Sequence, residues 1–103
     1  MVLKRELGHG EVEIEVRGNL NGSLVGDFRE SLNEEIDTPH TLIRLDFDKV
    51  RAINSAAIGF LLSFRMRAQE AGKVVRIVRC SVELRRTLLA IRLDRILDIA
   101  EKE

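Results

Sequence analysis

Residues 41–62 read TLIRLDFDKVRAINSAAIGFLL, and this stretch changes period once, in the middle. Leu42, Ile43, Leu45 and Phe47 are apolar at nearly consecutive positions, which predicts a central strand over Thr41–Phe47 covered on much of both faces. Asp48-Lys49-Val50 reads as a turn, and Arg51-Ala52-Ile53 as a short extended piece leading to Asn54-Ser55, the next cap candidates. From Ser55 the pattern is helical to Ala71, where Gly72 stands at the usual closing position. At 100° per residue, Ala57, Ile58, Leu61, Leu62, Phe64 and Ala68 share one broad face, while Ala56, Gly59, Phe60, Ser63 and Arg67 share the opposite one. The first two turns of this helix carry no charge.

Reading outward from this strand and helix gives the same alternation on both sides. Val2–Leu7 and Glu11–Arg17 are strands joined at Gly8-His9-Gly10; in the second, Val12, Ile14 and Val16 alternate with Glu11, Glu13 and Glu15. Gly18-Asn19-Leu20-Asn21-Gly22 breaks both periods, and Ser23 follows as a candidate N-cap. A first helix then carries Leu24, Val25, Phe28, Leu32 and Ile36 at spacings of three and four, and Asp37-Thr38-Pro39-His40 ends it. Downstream, Lys73–Cys80 is a strand, Ser81 caps a third helix containing Leu84 and Leu88, Leu93-Asp94-Arg95 is a connection, and Ile96, Leu97 and Ile99 form a last edge strand. This order is that of an α/β fold: a mixed, mostly parallel sheet of about five strands covered by three or more helices, in one domain over 1–103.

Composition limits the function classes. The 103 residues include 45% hydrophobic residues and one proline, enough apolar material for a core. Net charge is zero but divided: residues 1–50 hold six basic and eleven acidic side chains, residues 51–103 eleven basic and six acidic. Such asymmetry can steer an acidic partner, but scattered arginines more often only solvate helix faces and strand edges; they form no basic run for nucleic acid, and the absence of Trp and Tyr argues against base stacking. No apolar run approaches the ~20 residues of a membrane span, and the start has no apolar leader, so a cytoplasmic location is expected. Cys80 is alone and reads as a small buried hydrophobe; His9 and His40 lie in unrelated segments, and Asp46 and Asp48 read as structural acceptors. No nucleophile with its base, no paired carboxylates and no phosphate loop of Walker or dinucleotide spacing is present. Neither enzymatic activity, a metal nor a cofactor is expected.

Leu45-Asp46-Phe47-Asp48-Lys49-Val50 through Ile53-Asn54-Ser55-Ala56-Ala57-Ile58-Gly59-Phe60-Leu61-Leu62 resembles the signature of the STAS family, the sulphate-transporter and anti-sigma-factor-antagonist domain. In that signature an aspartate-ended strand is followed by Asp-Ser-Ser-Gly-Leu-Gly opening a helix. Gly18-Asn19-Leu20-Asn21 is similar to the family's Gly-x-Leu-Asp turn, and Leu89–Ile99 to its closing helix and short strand. The resemblance implies an anti-sigma-factor antagonist, in which a partner kinase that doubles as anti-sigma factor phosphorylates the second serine of Asp-Ser-Ser and thereby breaks their complex. A phosphoryl group adds about −1.5 to −2 charges to a packed interface.

This chain departs from the pattern at that function. Asn54 stands at the aspartate, Ser55 at the first serine, Ala56 at the phosphorylatable serine and Asn21 at the turn's aspartate. Alanine has no hydroxyl to phosphorylate. The expectation is a binding face that docks a partner without the standard switch, with Ser55 as a fallback acceptor or, on the plainer reading, an N-cap. Gly59 inside a helix costs about 1 kcal/mol relative to alanine, a cost tolerated where another backbone approaches. The expected partner surface is Asn21, Asn54, Ser55, Ala56, Gly59, Phe60, Ser63 and Arg67, with the Phe60 ring projecting outward; the alternative packs that ring under the Asn21 loop. The partner would be an anti-sigma factor and serine kinase, the ATPase of an ABC transporter regulated by a small STAS subunit, or a larger STAS assembly.

Overall fold

The computed structural model describes residues 1–95 and 97–99. Its elements are β1 (Val2–Gly8), β2 (Glu11–Val16), α1 (Leu24–Glu35), β3 (Leu42–Phe47), α2 (Ser55–Glu70), β4 (Val74–Cys80), α3 (Val82–Ala90), a 3₁₀ turn at Leu93–Arg95, and β5 (Asp98–Ile99). The five strands form one sheet in the order β1-β2-β3-β4-β5. β1 and β2 pair antiparallel, and the other three pairings are parallel. Gly8, His9 and Gly10 all take positive φ, which closes the β1–β2 hairpin.

The parallel strands are laid down in one direction, so right-handed crossovers place all three helices on the same face of the sheet. The core lies between that face and the helices. The register aligns Val12, Ile43 and Val75 in one row and Ile14, Leu45 and Ile77 in the next. Phe28 and Leu32 of α1, Leu61 and Phe64 of α2, and Leu84 and Leu88 of α3 close over them, all with no exposed surface.

Among the described residues no helix covers the opposite face, which corrects the expectation that β3 is covered on much of both faces. It carries a charged band instead: Arg5, Glu13, Arg44 and Arg76 lie in register, as do Leu3, Glu15, Asp46 and Arg79. Glu13 and Asp46 are buried within this band, held by Arg5 (2.7 Å to Glu13) and Arg79 (2.8 Å to Asp46). Arginine stems lying over the sheet do the covering that a second helix layer would otherwise do.

Two local expectations also change. Ser23 occupies the position before α1 but is itself helical and makes no side-chain cap bond. The last strand is short, Asp98–Ile99, with Leu97 buried just before it; Ile96, expected in that strand, lies outside the described residues. Ser81 does cap α3: its Oγ accepts the Leu84 N–H at 3.2 Å and donates to the Val50 carbonyl at 2.8 Å, tying α3 to the loop that precedes α2.

Candidate functional site

The loops after β2 and β3 leave the sheet at its carboxyl end, where parallel α/β sheets place their binding sites. They are stitched together. The Leu20 N–H donates to the Ala52 carbonyl and the Asn54 N–H to the Leu20 carbonyl, each at 2.9 Å, forming a parallel bridge between Leu20 and Ile53. Asn19 Oδ1 accepts the N–H groups of Arg51 (3.1 Å) and Ala52 (3.2 Å). Leu20 is fully buried and anchors the turn. Asn21 is thus carried to the start of α2, although 33 positions separate it from Asn54.

Asn54, and not Ser55, is the cap of α2. It is extended at φ −90°, ψ 171°, and its Oδ1 accepts the Ala57 N–H at 2.8 Å. Ser55 is the first helical residue and is exposed. Asparagine is as good an N-cap as aspartate, so the neutral amide retains the local geometry while removing a negative charge from the helix mouth.

Asn21, Asn54, Ser55, Ala56, Gly59, Ser63 and Arg67 are all exposed, and the opening turns of α2 show no charge before Arg65. A Cβ placed on Gly59 would meet nothing within 4 Å. The domain's own packing therefore does not require a glycine there.

Phe60 departs from its expectation. The ring is half-buried and does not project freely. It sits edge-on to Phe28 of α1 (centroids 6.1 Å apart) and stacks on Phe64 one turn along α2 (5.9 Å). Its outer surface is flanked by two guanidinium groups, Arg29 at 5.5 Å and Arg67 at 5.8 Å from the centroid. Apolar packing between the two helices wins over exposure because the ring bridges them.

Elsewhere the titratable groups are structural. On the bare sheet face a depression of about 400 Å³ is lined by Arg5, Glu13, Asp46 and Arg79, whose charges pair with one another. Asp46 also accepts the Asp48 N–H at 3.0 Å, as expected of a strand-end acceptor. No group of three or more metal-ligating side chains occurs among the described residues. Burial pushes the Cys80 thiol up to about 11, against a small opposing effect of Arg85.

At the opposite pole, sequence reasoning missed a cluster assembled from three elements. Glu35, 1% exposed, receives Lys4 Nζ at 2.8 Å, His40 Nδ1 at 2.7 Å and Thr38 Oγ1 at 2.9 Å. His40 Nε2 lies 3.0 Å from Glu6, and Lys73 Nζ donates to the carbonyls of Thr38 and His40. The Glu35 hydrogen bond raises the His40 pKa, opposed by burial and assisted by Glu6. Burial works against the Glu35 charge, but bonds from Lys4, His40 and Thr38 outweigh it and lower its pKa. No local signal joins these residues; only the β1–α1–β3 packing does.

The fold and the stitched loops are those of a STAS domain. A family model described as "Mlab, STAS domain" matches residues 4–98, and the chain belongs to the STAS family. No curated protein matches it in sequence. Among solved structures it is similar to the anti-sigma factor antagonist SpoIIAA in its unphosphorylated form, with a TM-score of 0.80 at 17% identity over 97% of this chain and 88% of that one. It is also similar to an anti-sigma factor antagonist from Mycobacterium paratuberculosis, with a TM-score of 0.79 at 15% identity over 97% and 84% of the two chains. A sulfate transporter family protein from Wolinella succinogenes gives 0.79 at 16% over 95% and 82%. At these identities the likeness shows the fold. No helix among the described residues is long and apolar enough to cross a membrane.

Proposed function

We propose that this chain is a regulatory protein-binding module of the anti-sigma-factor-antagonist type, not a catalyst, that docks a partner protein on the opening turns of α2 and works without the family's serine phosphorylation switch. The observation that carries this reading is the surface around Asn54: an exposed, uncharged helix start in which Ala56 fills the phosphorylatable position and Gly59 leaves a gap that the domain itself does not use. Small, uncharged residues with a polar surround match the centre of a protein interface. Asn21 and Asn54 stand where the family signature has two aspartates, so both positions are neutral amides.

The test uses a partner co-purified from the source organism and identified by mass spectrometry. Gly59→Trp, which fills the gap, and Ala56→Glu, which places a carboxylate where the family places its phosphate, are each expected to weaken binding at least tenfold while leaving the thermal melt unchanged. Incubation with a partner kinase and ATP is expected to leave the intact mass unchanged, Ser55 included. Undiminished affinity in both variants, or a stoichiometric phosphate, overturns the reading. A second reading, a small subunit on the ATPase of a lipid-exporting ABC transporter, is favoured by the missing hydroxyl at position 56, because a standing subunit needs no phosphate-driven release. A histidine-kinase-like partner points to sigma control, an ABC ATPase to transport, and large particles to a STAS assembly.

A further inference from the structure

The docking reading leaves unexplained a feature one turn further along α2. Arg29 of α1 and Arg67 of α2 converge on the single ring of Phe60, at 5.5 and 5.8 Å from its centroid, and Arg67 also lies 5.6 Å from Phe64. Two like charges over one ring repel each other. The ring face attracts each of them by roughly 0.5–1 kcal/mol at an exposed site. Other basic side chains at this surface density find acids: Lys4, Arg5, Arg17, Arg44 and Arg79 all do. Among the described residues, neither Arg29 nor Arg67 has a carboxylate within ion-pair distance; Arg67 instead donates to Asn33 Oδ1 at 2.9 Å. Glu30 and Glu34 line the same shallow depression on α1 as Arg29, yet neither forms an ion pair with it, and its guanidinium lies 5.5 Å from the Phe60 centroid.

Gly26 lies one turn before Arg29 on α1, Gly59 adjoins Phe60 on α2, and a Cβ on either would meet nothing within 4 Å. Gly59, inside α2, costs helix stability relative to alanine, and no packing inside the domain offsets that cost. The Phe60 ring thus carries two guanidinium groups, neither of which has a carboxylate partner among the described residues.

We propose that the Arg29–Phe60–Arg67 cleft between α1 and α2 is the specificity half of the docking surface and receives an acidic side chain, aspartate or glutamate, from the partner protein. This rests on the docking reading above and adds the partner's chemistry to it. A carboxylate entering between the two guanidiniums relieves their repulsion, and the uncharged α2 start beside it, with amides at positions 21 and 54, offers no opposing acid. An arginine held over an aromatic ring offers charge-assisted bonds that discriminate between partners.

The experiment measures affinity of the identified co-purified partner for five forms of the full chain: wild type, Arg29→Glu, Arg67→Glu, Arg29→Gln and Gly59→Trp. Each charge reversal is expected to weaken binding at least tenfold, the glutamine variant by less, and an Asp→Lys or Glu→Lys substitution at the partner acid whose alanine variant weakens binding to the wild type is expected to restore binding to Arg29→Glu. Circular dichroism melts check that every form is folded. If Gly59→Trp abolishes binding while both reversals leave it within twofold, the cleft proposal fails and the docking reading stands. If none of the variants alters binding, or no partner is recovered, both fail.

Discussion

Asn54 Oδ1 accepts the backbone N–H of Ala57 at 2.8 Å, so an uncharged side chain at the mouth of α2 starts the helix. Asn54→Ala is expected to cost about 1 kcal/mol of stability in urea denaturation, because an N-terminal donor loses its partner. Ser55→Ala, at an exposed first-turn position, should stay within about 0.5 kcal/mol. Equal losses in the two variants would place the cap at the serine.

Ser81 is 3% exposed and bonds in both directions, to the Leu84 N–H and the Val50 carbonyl. Ser81→Ala removes the cap and leaves the buried Val50 carbonyl without this donor, so a loss of about 1–3 kcal/mol is expected. Equilibrium denaturation measures it; a change below 0.5 kcal/mol would contradict the pairing.

The cluster around Glu35 makes stability depend on pH with a definite sign. His40 has its pKa raised by Glu35 and Glu6, so its contribution is complete below the ordinary histidine value of about 6.5 and is lost as pH rises through the raised folded value. Glu35 has its pKa lowered by Lys4, His40 and Thr38, against burial, so its contribution holds above the ordinary carboxylate range and fades as pH falls through the lowered folded value. The stability profile should therefore decline above about pH 6.5, as pH rises from the ordinary histidine value through the raised folded one, and His40→Gln should flatten that limb. NMR titration of the imidazole gives the direct check: a midpoint at or below 6.5 would refute the arrangement.

Cys80 is buried, and its thiol is pushed up to about 11. It should resist iodoacetamide at pH 7.5 while the chain is folded and react once the chain is unfolded in urea. Rapid alkylation under native conditions would contradict its place in the core.

The element order was legible in the sequence because periodicity switches cleanly between Phe47 and Ser55 and again at Gly72-Lys73. Long-range pairing was not. The near-continuous apolar reading of Thr41–Phe47 passed over Arg44 and Asp46, which face the same side and mark the bare, charged face of the sheet. Phe60 was placed by a helical wheel that knows the helix's own faces but not where α1 crosses it; Phe28 supplies the packing that half-buries the ring. The Lys4–Glu35–His40 cluster joins residues up to 36 positions apart and has no local signature. At the candidate site, the Gly18–Gly22 turn and the Asn54-Ser55 start were each visible, but only the Leu20–Ile53 bridge places Asn21 beside them.

Amide hydrogen–deuterium exchange, with and without the co-purified partner, bears most directly on the docking claim. Slowed exchange is expected over residues 54–60, with the Asn21 turn protected alongside. Protection confined to the bare sheet face, through Arg5, Arg44 and Arg79, with residues 54–60 unchanged, would contradict it.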